Sequence, residues 1–179
     1  MIWDILIINE DAAHNSRIQK AVESMNSLGI KVTFSDIYNG MVSASKQYKS
    51  PFCSVMNQYG IKRKEPYPKE LEEPYSVSES RIEKFGFLNH IEFCLSSAEI
   101  GISKPDIRIF QMAVDKSNCP PEKAIMIGDR LDNDIYPAKK IGMRTIWIKQ
   151  GFGGFQTPIS DEYEPDFTVN SLDELQCIL

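Results

Sequence analysis

Long apolar runs are missing from this 179-residue chain. Nothing in it approaches the ~20 consecutive apolar residues that a membrane span requires. The opening MIWDILIINEDAA lacks both the basic flank and the apolar length of a secretory signal. A cytoplasmic protein with no membrane partner is therefore expected. A basic surplus is missing too: the net charge of −5 and pI near 5.1 supply no positive field for tracking a phosphate backbone, which argues against nucleic acid as a partner. Cysteines are few, and Cys53, Cys94, Cys119 and Cys177 stand far apart without paired spacing. Such spacing fits neither a zinc site nor a disulfide framework, so reduced, packed thiols are expected. His14 and His90 have no ligand-spaced partner, which leaves them surface or capping roles. Internal repeats and low-complexity tracts are absent as well.

What is present is a regular rhythm, clearest in the second half. Residues 2–8 (IWDILII) read as a short buried strand. Ile18, Ala21, Val22, Met25 and Leu28 then mark one face of a helix that stops at Gly29. Ile37, Met41 and residues 52–59 suggest two helical pieces split by Ser50-Pro51, and IKRKEPYPKELEEP reads as a charged, proline-punctuated connector. Further on, strands are expected at residues 91–95, 124–127, 144–149 and 167–169. Helices are expected from Ile107 to near Asn118, over residues 133–141 closed by Gly142, and over 172–178 with Ser171 as N-cap. Strands and helices alternating at these lengths predict a parallel sheet with helices over its faces.

Chemistry concentrates in IMIGDRLDNDI, residues 125–135. Ligands of an open parallel sheet collect at the carboxyl ends of its strands, and Gly128 and Asp129 fall at such an end. Asp134, five residues beyond Asp129, falls in the first turn of the next helix. Two carboxylates converging there suit a hard divalent cation with oxygen ligands, Mg²⁺ first among them. For Asp132 and Asn133 a plain helix-capping role is the better reading. A second feature is GISKPDIRIF, residues 101–110, where Pro105 is suited to the first position of a helix and fixes the loop carrying Lys104. That ammonium can stabilise a transferring phosphoryl group or a nearby carboxylate.

Together these motifs, with GMRTIWI and EPDFTVNSLDEL behind them, resemble the C-terminal half of the haloacid dehalogenase-like (HAD) hydrolase superfamily over residues 81–179. Lys104-Pro105 resembles that family's third motif, and GDRLDND its fourth. The resemblance implies an α/β fold: a Rossmann-like, doubly wound parallel sheet with helices on both faces, plus a small helical cap insert. Core residues are expected at 1–12 and 76–179, with the cap insert and connector at 13–75. It also implies a Mg²⁺-dependent phosphatase-type hydrolase acting on a small phosphorylated metabolite. Asp129 and Asp134 would hold the metal, Lys104 the phosphoryl group, and Glu10 or Asp11 would be the surviving acid.

One departure is serious. Family members carry Asp-x-Asp after the first strand, where the leading Asp attacks phosphorus and the second works as acid and base. Here LIINEDAAHNS places Ile8 and Glu10 in those positions, or Asn9 and Asp11 after a one-residue shift. Neither register supplies a carboxylate nucleophile. The second motif, a strand ending in Ser or Thr, has Ser78 as its nearest candidate, and the chain reads as though a segment between about Pro66 and Arg81 were cut away. Weak or lost activity is therefore expected, with a non-catalytic relative that keeps a metal and phosphate pocket, or only the scaffold, as the alternative. A phosphoacceptor receiver or flavodoxin-like domain fits less well, because Lys104 follows no apolar strand.

Overall fold

The structure is a computed structural model and describes residues 10–61, 86 and 88–178; for residues 10–13, 88, 98 and 177 the description extends to the backbone alone. Residues 2–8, the connector beyond Ile61, and the expected second motif with Ser78 lie outside the described residues.

Three helices come first: α1 (Glu10–Ser27), α2 (Phe34–Lys46) and α3 (Pro51–Gln58). In α2 the buried residues are Ile37, Met41, Ala44 and Ser45, a spacing that lines one helical face. Thr33 starts this helix with a capping box, accepting from the Asp36 N–H while the Asp36 carboxylate accepts from the Thr33 N–H. Hydrogen bonds from Thr33 hold the Asp36 carboxyl below the usual carboxylate range. Thr33→Ala should therefore cost about 1 kcal/mol in a denaturant melt. Pro51 opens α3 after Ser50, as expected. Leu28, expected on the buried face of α1, lies past the helix end and is 73% exposed, because the chain turns at Gly29 with φ +81°.

Ile18, Met25, Ile37, Met41 and Val55 form one apolar cluster, completed by Phe152 from the far end of the chain. The second half begins with a short helix α4 (Ser97–Ile100) and continues with α5 (Ile107–Ser117), whose buried Ile109, Phe110 and Ala113 face the sheet. Asn118 ends α5 in the left-handed conformation. Strands β1 (Ile125–Gly128), β2 (Arg144–Ile148) and β3 (Phe167–Val169) form a parallel sheet in that order, Gly128 opposite Trp147 and Ile148 opposite Val169. Along β1, Met126 packs toward α5 while Ile127 packs with Ile146, Ile148, Val169 and Leu175 on the other side. Successive residues of one strand are thus buried on opposite faces, which a parallel sheet covered on both sides demands.

Three expectations need correction. Residues 91–95 adopt no strand, and Ile91 and Glu92 are exposed. The last helix is a 3₁₀ segment, Asp173–Cys177, with Leu172 and not Ser171 at its N-cap position. The helix expected over 133–141 begins earlier, with a π-helical turn at Leu131–Ile135, and becomes α-helical only as α6 (Tyr136–Lys140). Among the described residues no helix is long and apolar enough to cross a membrane.

Candidate active site

Strand β1 ends at Gly128 and delivers Asp129 to the carboxyl edge of the sheet. Glycine is required there by space: a Cβ on residue 128 would stand 2.4 Å from the Asp134 Cβ and 2.7 Å from its Oδ2. The π-helical turn brings Asp134 so close, since both the Asp134 and Ile135 N–H groups donate to the Arg130 carbonyl, at 3.0 and 3.2 Å. Such widened turns recur at functional sites because one extra residue re-aims the side chains around it.

Asp134 is 2% exposed. Its Oδ1 accepts from Lys104 Nζ at 2.7 Å, and its Oδ2 from the Arg130 N–H at 3.0 Å. Lys104 comes from the loop between α4 and α5, a quarter of its side chain still exposed. Of the two roles open to this lysine in the sequence, the structure realises the carboxylate partner. Pro105 does not open α5, which starts at Ile107 behind the N-cap Asp106.

Acids packed this closely repel one another, and an arginine within the cluster relieves part of that repulsion. Arg130 clamps Asp132 with two bonds, Nε to Oδ1 at 3.0 Å and a terminal nitrogen to Oδ2 at 2.5 Å. Asp132 is therefore not the helix cap the sequence suggested. Gln156, 1% exposed, completes the arrangement: its Nε2 donates to Asp132 Oδ1 at 2.9 Å and its Oε1 accepts from the Leu131 N–H at 2.7 Å. Behind Asp129, the Trp147 indole N–H donates to the Asp129 carbonyl at 2.8 Å.

Segment 150–157 ties this loop to the first helices. Phe152 enters the α1–α2–α3 cluster, with His14 edge-on to its ring at 4.9 Å between centroids. Ser45 donates to the Phe152 carbonyl at 2.5 Å, and Tyr48 to the Thr157 carbonyl at 2.5 Å. Partial burial, with Asp132 nearby, pushes the Tyr48 phenol up to about 12. Because the folded value lies above the ordinary 10.0, this contribution to stability is full below pH 10 and is lost as pH rises through about 12. A UV titration of the native protein should show a phenol ionising near 12 that Tyr48→Phe removes.

Of the residues singled out in the sequence, the structure joins Lys104 to Asp134 and sets Asp129 at the same strand end. Glu10 and Asp11 begin α1, and their side chains lie outside the described residues, as do Ile8 and Asn9. Sequence reasoning missed Arg130, Trp147, Gly153 and Gln156. Arg130 stood in plain view between the acids. For Gly153 the available signal was the glycine pair in GFGG, which marks a close backbone approach, while Trp147 and Gln156 had none. Among the described residues no three His, Cys, Asp or Glu side chains gather as a metal cage.

A parallel sheet with carboxylates and a lysine at its carboxyl edge defines an α/β core with a ligand site at the strand ends. Residues 101–175 match the family described as HAD-hydrolase-like. The chain is 37% identical over 90 residues to a phosphoserine phosphatase of Thermus thermophilus, covering 50% of this chain and 34% of that protein. It is 46% identical over 71 residues to a glyceraldehyde 3-phosphate phosphatase of Pyrococcus furiosus, covering 40% of this chain and 28% of that one. The chain thus spans about a third of the length of these curated relatives. Among solved structures, a HAD phosphatase from Thermococcus onnurineus superposes with TM-score 0.61 at 17% identity, covering 99% of this chain and 94% of that one. The magnesium-bound Bacillus subtilis protein YfnB, assigned to the HAD-hydrolases, superposes with TM-score 0.58 at 17% identity, covering 99% and 96%. The match to the HAD-hydrolase-like family thus rests on residues 101–175, and the solved HAD structures share the fold of the chain.

Proposed function

We propose that this chain is a phosphatase-type HAD domain that binds Mg²⁺ and a small phosphorylated metabolite in the cytoplasm, with weak or lost turnover because its nucleophilic carboxylate is missing. The observation that carries this reading is the buried Asp134, ion-paired with Lys104 at 2.7 Å, beside Asp129 at the carboxyl end of β1. Both named phosphatase relatives act on small phosphate monoesters, which supports the substrate class.

The donor set fits Mg²⁺ and not a softer ion: the groups are carboxylate oxygens, with no thiolate or imidazole among them. Mg²⁺ keeps several waters and needs only one or two carboxylates together with substrate phosphate, so a three-residue cage is not required. In this reading Asp129 and Asp134 hold the ion, Asp134 doing so while it keeps Lys104 in place. When bound, the ion neutralises charge on the phosphoryl oxygens. Lys104, its ammonium held on Asp134, would add a positive charge on the same side for the phosphoryl group. Glu10 or Asp11 serves as the remaining acid, and residues 13–75 act as the cap that shapes substrate choice. An isoleucine at position 8 cannot attack phosphorus, and an amide at position 9 is a very poor nucleophile. The same absence favours the second reading, a non-catalytic relative that binds metal and phosphate without turning over.

Mg²⁺ should raise the melting temperature of the wild type by mass action. At tenfold excess over Kd the gain is about 1.4 kcal/mol, or roughly 3–6 °C for a chain of this size. Asp129→Asn should abolish that rise, and an unchanged melting curve at millimolar Mg²⁺ counts against the metal. Hydrolysis of a generic aryl phosphate should be feeble at most. Robust turnover retained in Asn9→Ala and lost in Glu10→Ala or Asp11→Ala would show that one of these acids carries the reaction unaided.

A further inference from the structure

Gln156 is one of four buried polar or charged residues among those described, and its amide bridges the Leu131 N–H and the Asp132 carboxylate. The Leu131 N–H begins the π-helical turn, and its N-cap residue Arg130 offers no side-chain capping bond. An N–H left without an acceptor in a buried first turn is costly. Gln156 Oε1 supplies that acceptor at 2.7 Å, while Nε2 faces the Asp132 carboxylate at 2.9 Å. The two contacts fix the amide in one orientation, since a flip would set N–H against N–H and oxygen against carboxylate.

Leu131 and Asp132 form the middle of the loop whose two ends are Asp129 and Asp134. Each end has its own tether, Trp147 on the Asp129 carbonyl and Lys104 on the Asp134 carboxylate. The middle is held by Arg130, which belongs to the loop and moves with it, and by Gln156, which does not. The Gln156 N–H in turn donates to the carbonyl of Gly153, which packs on Asp129, at 3.0 Å, and Phe152 of the same segment is seated in the cluster of the first three helices.

We propose that Gln156 is a positioning residue for the cation site, holding the 130–133 stretch so that the Asp129 and Asp134 carboxylates stay at a fixed separation. This rests on the Mg²⁺ reading above. Gln156→Glu keeps the acceptor for Leu131 but sets a carboxylate against Asp132, and Gln156→Met removes both bonds at similar volume. Groups that orient metal ligands from behind are worth about 10–100-fold in metal affinity. Each variant is therefore expected to raise the half-saturating Mg²⁺ concentration, read from the rise in melting temperature across a Mg²⁺ series, by about 10–100-fold.

Adding Asp132→Asn to Gln156→Glu places a donor opposite the new acceptor and should bring the half-saturating concentration back toward wild type. A merely structural residue would behave differently: the metal-free melting temperature would fall while the half-saturating concentration stayed put, and the double variant would bring no recovery in Mg²⁺ affinity. That pattern overturns the proposal, and it can be read from either single variant if the other fails to fold. A wild type with no Mg²⁺ response at all rejects the cation site itself and this inference with it. Mg²⁺ binding in the wild type with unshifted Gln156 variants rejects the inference alone.

Discussion

Replacing Gly153 by alanine is expected to cost at least about 3 kcal/mol of folding stability, the upper end of the range for an overpacked interior. The new Cβ would stand 2.2 Å from the Asp129 carbonyl oxygen, 2.8 Å from its carbon and 2.9 Å from its Oδ2. A flexible side chain could swing away from such a contact, but a backbone oxygen held by the Trp147 indole cannot. Relief has to come from moving either Asp129 or the 150–157 segment, and that segment is tied to α2 through Ser45 and Tyr48. Moving Asp129 also disturbs the cation site, so the variant should lose its Mg²⁺ response along with its stability. Gly154→Ala, whose nearest contact would be 3.0 Å, should be milder. Chemical denaturation of the two variants side by side checks this, and equal, small losses would mean that the close approach at Asp129 is not a constraint.

Lys104→Met should be the next most damaging change. It leaves the Asp134 carboxylate, its side chain 3% exposed, without this cation and with the Arg130 N–H as its remaining donor among the described residues. Removing one partner of a buried pair costs about 3–5 kcal/mol, and since Lys104 is itself partly exposed the low end, about 3 kcal/mol, applies. For a chain of this length that is roughly 6–12 °C in melting temperature. The loss comes from an uncompensated charge, so combining Lys104→Met with Asp134→Leu should recover part of it in the absence of metal. A single-variant loss within about 0.5 kcal/mol, the size of a plain surface substitution, would contradict the pairing.

The sequence made the second half of the fold legible because there the physics is local. Ile109, Phe110 and Ala113 sit on one face of a helix, and β1, β2 and β3 are short apolar runs with turn residues on both sides. Lys104, Asp129 and Asp134 could be found because strand ends in parallel sheets gather ligands. Residues 91–95 misled because a short apolar run does not by itself say whether it will form a strand. The π-helical turn was hidden because Leu131 and Ile135 keep an apolar spacing compatible with an ordinary helix. Gln156 gave no sign at all, being a lone polar residue whose partners stand 24 and 25 positions away. Phe152 stood out in no sequence pattern, yet it fills a cluster built by the first three helices, the last of which ends at Gln58.

A crystal structure of the chain grown with Mg²⁺ and a phosphate mimic tests the central claim most directly. An ion at the end of β1, with an Asp129 oxygen about 2.0–2.1 Å from it and the mimic between it and Lys104, is the expected result. Saturating Mg²⁺ that leaves this strand end without an ion, or settles on acids elsewhere, would contradict it and leave only the shared fold.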